Sequence, residues 1–177
     1  HKIQRDIRWE KSYCGIAYWP SFDAWSDYTE MKLINDQPLA VPKDAKLILF
    51  LGRLETRKGV DVLLAAANDF LSSDQSAHLV LAGKDVEGWS QPTRTSFANG
   101  IAERVHFIGE VDDATREKLL NAAYCVVFPS RYESFGLVPL EAFVHGTPVI
   151  ATNAGAIPEV VVNEECGLLF EAENPAT

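Results

Sequence analysis

From residue 46 onward, short apolar runs alternate with segments of helical length and helical period. The runs cover residues 46–51, 78–83, 105–108, 124–129, 147–152 and 167–170. They lack the polar alternation of a half-exposed strand, which predicts strands covered on both faces. Between the first two runs, Val60, Leu63, Leu64, Ala67, Phe70 and Leu71 recur at helical spacing and form one apolar stripe. A second helix is expected from Asp112 and Asp113 to Ala123, with acids at its positive end and Leu119, Leu120 and Ala123 turned inward. A third is expected with Pro139 at its first position and Gly146 ending it. Strand–helix alternation of this kind predicts right-handed βαβ crossovers and an α/β fold, a doubly wound parallel sheet.

Residues 1–45 carry Trp9, Tyr13, Tyr18, Trp19, Phe22, Trp25 and Tyr28 with no sustained period. An irregular segment that packs its aromatics on the domain, or on another domain, is expected there, and the domain itself is expected over 46–177. The chain reads as a piece of a larger protein that stops short at its C-terminal end.

Composition narrows the classes of function. Of 177 residues, 47% are apolar and 23% charged, as in ordinary globular domains, and the formal net charge is −9. An acidic chain is a poor partner for nucleic acid or an anionic membrane. A phosphate held here must be met by a few local cations and oriented amides. The three cysteines, Cys14, Cys125 and Cys166, show neither Cys-x-x-Cys spacing nor histidine pairing. Reduced thiols in a cytoplasmic compartment are expected from that pattern.

In a doubly wound sheet, ligands bind beyond the carboxyl ends of the strands, so chemistry is sought in the strand-to-helix loops. The first loop holds Gly52, Arg53, Leu54, Glu55, Thr56, Arg57, Lys58 and Gly59. Its frame fits neither a Walker A loop nor a G-x-G-x-x-G fingerprint. Arg53 offers a fixed fork and Lys58 a point charge, a pair suited to a diphosphate, although solvated loop cations are the plainer alternative. Arg57 reads as surface.

The fourth loop runs from Glu133 through Ser134, Phe135, Gly136 and Leu137 to Glu141, with one acid on the loop and the other in the first turn of the helix. Each carboxylate can accept two hydroxyl hydrogen bonds, which suits a sugar or a ribose diol. Gly136 permits close backbone approach, and a helix start supplies unpaired N–H groups and a positive dipole end. Taken singly, Glu133 is a surface acid and Glu141 a helix-dipole acid. Taken with the first loop, they point to a sugar nucleotide.

Gly52-Arg53-Leu54 with Lys58-Gly59, then the Glu133 to Glu141 stretch followed by Ala142, then Gly146-Thr147-Pro148-Val149-Ile150-Ala151, resemble the retaining GT-B glycosyltransferases of the E-x7-E, glycosyltransferase family 4-like class. The similarity covers about residues 46–171, the C-terminal, Rossmann-like donor-binding half of such enzymes. It implies that Arg53 and Lys58 hold the donor diphosphate and stabilise the leaving group. It implies that Glu133 meets hydroxyls of the transferred sugar, and that the amides after Ser134 (those of Phe135, Gly136 and Leu137) contact sugar and phosphate. Glu141 would grip the ribose. The Val105-His106-Phe107 segment, expected to end a strand, would hold the base, largely through backbone.

The same resemblance implies a UDP-, GDP- or ADP-sugar as substrate, with no cofactor and no metal. It implies an acceptor (a glycan, a lipid-linked sugar or a small molecule) bound mainly by an N-terminal GT-B domain outside this chain. Any contact with a membrane would be made through that domain, and the chain alone is expected to be inactive. Three positions depart from the family pattern: His145 before Gly146, Gly155-Ala156 in place of two glycines, and Tyr13-Cys14-Gly15-Ile16-Ala17 at the interdomain junction. A lone histidine at a helix end is read as packing or capping. Two rivals from other classes are a non-catalytic sugar-nucleotide-binding or assembly module and a glycoside hydrolase, whose paired acids would need no diphosphate clamp.

Overall fold

The computed structural model describes residues 41–172 except 43, 92–96 and 99, so the expectations for residues 1–40 lie outside the described residues. Six strands form one sheet: β1 (Lys46–Leu51), β2 (Ala77–Ala82), β3 (Val105–Gly109), β4 (Cys125–Phe128), β5 (Val149–Thr152) and β6 (Gly167–Phe170). Every pairing is parallel and the spatial order is β3-β2-β1-β4-β5-β6. The doubly wound architecture expected from the sequence is the one observed. Helices α1 (Val60–Ser73), α2 (Asp113–Ala122), α3 (Leu137–Val144) and the short α4 (Ile157–Val160) make four of the five crossovers.

Two apolar layers sandwich the sheet. On one face Phe50, Leu79 and Leu81 pack against the Val60, Leu63, Leu64, Ala67 and Leu71 stripe of α1. On the other, Leu47, Leu49, Leu51, Val80 and Val126 meet Leu119 and Leu120 of α2, Ala142 of α3 and Ile157 of α4. All six residues of β2 are buried, which is why that segment, His78 apart, reads as an apolar run.

The helix ends follow local chemistry. The Asp112 carboxylate accepts from the Thr115 amide at 2.8 Å and caps α2. Gly146 leaves α3 in the left-handed region at φ 70°. Two local expectations need correction. Helix α3 starts at Leu137, so Pro139 is its third residue and Glu141 its fifth, in the second turn. Pro139 is tolerated because no first-turn N–H has an intrahelical acceptor. The base-binding segment 105–107 opens β3 instead of closing it, since the strand runs on to Gly109.

The order of strands fixes where a ligand can sit. Chain direction across the sheet reverses between β1 and β4, whose crossovers lie on opposite faces. At such a switch point, ligands of open α/β sheets bind beyond the loops that leave the two strands at the carboxyl edge. Those are the loops that carry Gly52 to Gly59 and Pro129 to Gly136.

Candidate functional site

The two loops are locked together by Arg131, a residue the sequence alone does not single out. Its guanidinium spans both oxygens of Asp61, in the first turn of α1, at 2.7 and 2.8 Å. It also donates to the Thr56 carbonyl, and its own amide donates to the Arg57 carbonyl at 3.0 Å. A bidentate fork of this geometry sets orientation as well as distance, and it holds the Asp61 carboxyl below the usual carboxylate range. Gly59 completes the joint: a Cβ there would lie 2.0 Å from the Pro129 carbonyl oxygen, so only glycine lets the loops touch.

At the seam, the Lys58 ammonium pairs with Glu133 Oε1, and the Ser130 hydroxyl donates to the same oxygen at 3.0 Å. The side chains keep only 17% and 14% of their exposure, so the pair is shielded from water on most sides. The Lys58 ammonium also lies 5.9 Å from the Phe128 ring centroid, a cation–π contact that holds it over the end of β4. Sequence reasoning sets Lys58 and Glu133 facing each other across a ligand. The structure joins them directly.

The loop after β5 closes against this pair. The Ala156 amide donates to the Glu133 carbonyl at 3.2 Å, and a Cβ on Gly155 would come within 2.8 Å of that oxygen. Gly155-Ala156 therefore supplies the close approach where it is needed, at Gly155. Thr152 ties the same loop to the Ser130 carbonyl through its hydroxyl.

The remaining candidates fall into two groups. Gly52 follows the last residue of β1, its amide bonded to the Ala82 carbonyl at 2.9 Å, and Arg53 comes next with an exposed guanidinium 3.2 Å from Glu55. Glu55 takes Arg57 as well, at 2.9 Å, so Arg57 is a surface residue tied down by an acid. Gly136, at φ 65° and ψ 51°, turns the chain into α3, and neither a side-chain cap nor a first-turn acid covers that helix start. Ser134, Phe135 and Leu137 around it are exposed. The start of α3 thus offers uncapped N–H groups on an otherwise acidic chain.

His106 and Glu141 stand apart from the Lys58–Glu133 seam. The His106 ring stands against His78 with ring nitrogens 3.0 Å apart, at the level of Val80 and well short of the carboxyl edge. Burial, then the neighbouring His78, pushes the His106 pKa down to about 4. Phe107 packs its ring into the α1 layer. Neither side chain points with the loops, and the expected contact at this strand reduces to backbone. Glu141 meets Arg116 of α2, a partner that sequence reasoning missed. His145 Nδ1 lies 3.1 Å from the Asn121 side-chain oxygen, consistent with a packing role at the helix end.

Among the described residues no helix is long and apolar enough to cross a membrane. No group of three or more His, Cys, Asp or Glu side chains among them is gathered for a metal ion.

Where the strand order reverses, the loop after β1 carries Arg53 and Lys58, and the loop after β4 carries Glu133 and leads to the uncapped start of α3. The chain belongs to the glycosyl transferases group 1 family, whose model matches residues 31–177. A glycosyltransferase of Methanocaldococcus jannaschii is 36% identical over 164 residues, covering 92% of this chain and 41% of its own length. The D-inositol 3-phosphate glycosyltransferase of Corynebacterium diphtheriae is 36% identical over 145 residues, 77% of this chain and 33% of that protein. The chain thus spans about a third to two fifths of the curated relatives it matches.

Among solved structures, Anabaena HepE in complex with UDP superposes with a TM-score of 0.63 at 27% identity, covering 75% of this chain and 36% of that one. The C-terminal domain of a Francisella tularensis group 1 glycosyl transferase (LpcC) does so at 0.62 and 28%, covering 73% and 69%. The fold is the Rossmann-like C-terminal half of a GT-B glycosyltransferase.

Proposed function

We propose that this chain is the donor-binding domain of a retaining, metal-independent glycosyltransferase that moves a sugar from a nucleoside diphosphate sugar to an acceptor hydroxyl. The observation that carries the reading is the shielded Lys58–Glu133 pair at the β1/β4 switch point, next to the uncapped start of α3. A donor places its diphosphate on Lys58, Arg53 and the free amides of the helix start. Glu133, released from its internal partner, then accepts from hydroxyls of the transferred sugar, while Glu141 accepts from the ribose.

The bond between the anomeric carbon and the β-phosphate oxygen breaks as the acceptor oxygen bonds to that carbon on the same face. The acceptor proton leaves with the phosphate, and Lys58 and Arg53 stabilise the charge that develops there. The acceptor and the rest of its site belong to an N-terminal domain outside this chain, so the chain by itself binds donor without turnover. The reading assigns the protein to the cytoplasm, at most peripheral to a membrane through that domain.

Titration calorimetry with UDP, GDP and ADP tests it. One of the three is expected to bind, and a hundredfold excess over Kd should stabilise the fold by about 2.7 kcal/mol. Lys58→Ala combined with Glu133→Gln removes the ammonium without stranding a buried carboxylate. It should weaken that nucleotide by about 10- to 150-fold, the range for a hydrogen bond to a charged group. Binding of none of the three, or binding indifferent to the double variant, overturns the reading. Release of free sugar from a neutral glycoside would favour hydrolysis instead.

A further inference from the structure

Helices α2 and α3 lie side by side on one face of the sheet and are joined by three polar contacts. The Thr147 hydroxyl donates to the Leu120 carbonyl at 2.6 Å, and His145 meets Asn121 at 3.1 Å. Both are at the ends of the helices, towards the amino edge of the sheet. The third contact, Arg116 with Glu141, is different in place. Arg116 is the fourth residue of α2 and Glu141 the fifth of α3. Each helix starts from the carboxyl end of its strand, so this contact sits at the ligand edge. It is half exposed, which makes it a weak source of stability.

Its geometry is also particular. Arg116 Nε donates to Glu141 Oε2 at 2.8 Å, and Nη2 donates to the same oxygen. Two N–H groups of one rigid plane on one oxygen fix the carboxylate's rotation. Glu141 Oε1 is left with no hydrogen bond among the described residues. A free glutamate spreads its acceptors over many rotamers; this one presents a single acceptor at a set angle.

We propose that Arg116 is a positioning residue for nucleotide recognition: it holds Glu141 by one oxygen so that the other reads the ribose diol of the donor. The inference rests on the donor-binding reading above. Arg116 need not touch the ligand. It turns a mobile acid into a fixed acceptor, so the binding site selects for a ribonucleotide.

The test compares whichever of UDP, GDP and ADP binds with its 2′-deoxy counterpart. Both are titrated into wild type, Arg116→Met, Arg116→Lys and Glu141→Gln, with urea midpoints measured on each. Wild type should prefer the ribonucleotide by about tenfold, the worth of one hydrogen bond to a charged acceptor. Arg116→Met should lose that preference while keeping its affinity for the deoxynucleotide, and Glu141→Gln should lose the preference as well. Arg116→Lys should not restore it, because an ammonium lacks the planar fork. A ribose preference that survives Arg116→Met, or affinities that fall equally on both nucleotides, overturns the proposal. So does a wild type that binds but shows no preference, which leaves the donor reading intact. Failure to bind any of the three nucleotides removes the donor reading and this one with it.

Discussion

Replacing Gly59 with alanine should unseat the joint between the two ligand loops, by an amount the structure allows to be worked out. Gly59 sits at φ 72° and ψ 22°, in the left-handed region. An L-residue there costs about 1–2 kcal/mol. The added methyl would also lie 2.0 Å from the Pro129 carbonyl oxygen and 2.7 Å from its carbon. That obstacle is backbone, so no rotamer change relieves it, and forced repacking of this kind costs about 1–3 kcal/mol. The expected loss is about 2–5 kcal/mol.

Gly109 provides the control, since it has φ 73° and an added methyl would meet nothing within 4 Å. Gly109→Ala should bear the left-handed strain alone. The difference between the two variants, about 1–3 kcal/mol, isolates the clash. For a chain of 177 residues it corresponds to roughly 2–12 °C in Tm. Urea unfolding followed by tryptophan fluorescence gives the energies, and thermal scans give the shift. Equal destabilisation by the two alanines would refute the reasoning, because the closeness of the loops would then carry no energetic weight.

Further outcomes follow from the ion pairs and buried groups. Arg131→Ala should lose about 1.5–3 kcal/mol at neutral pH by removing charged hydrogen bonds to Asp61. Asp61 is depressed below 3.8, so this difference from wild type should be full above that value and shrink as pH falls through the folded pKa, down to what the Arg131 contact with the Thr56 carbonyl contributes; urea midpoints from pH 7 to 2 check it, and a gap constant to pH 2 would contradict it. Burial depresses both His78 and His106, so the unfolded chain takes up protons first as pH drops below 6.5. Stability should therefore be complete above 6.5 and decline toward pH 4, less steeply in His106→Leu; parallel slopes would refute the assignment. Burial pushes the Cys125 thiol up to about 12, so iodoacetamide at pH 8 with peptide mapping should leave it unmodified until denaturant is added. Native labelling of Cys125 would contradict its burial.

The strands are legible in the sequence because a segment covered on both faces has no polar position to break its pattern. The runs at 46–51 and 167–170 coincide with β1 and β6. The run at 124–129 overreaches because apolar character does not stop where pairing stops; Tyr124 and Pro129 flank β4 without joining it. The start of α3 escapes the sequence because Pro139 fits any first-turn position, and the left-handed entry at Gly136 leaves no mark that distinguishes it from another loop glycine. That Lys58 and Glu133 lie on loops that face each other, and that Glu141 lies on the helix that follows, can be read from residue type and spacing. Their partners cannot. Periodicity assigns a face to Arg116 and a loop to Arg131, but which side chain a neighbouring element presents to them depends on how helices pack across the sheet.

The two apolar layers have different histories along the chain. Every buried member of the α1 layer comes from residues 50–101, whereas the opposite layer draws on residues from Leu47 to Val161. During synthesis, one side of the sheet can therefore bury its grease while the other still waits for β4, α3 and α4 to leave the ribosome. Strand β1 stays an open edge until Cys125 arrives to pair with Ile48, and long-range parallel pairing of this sort is slow. The exposed flank of that half-made sheet is where a nascent molecule is most prone to stick to its neighbours, and where a chaperone gains the most by binding.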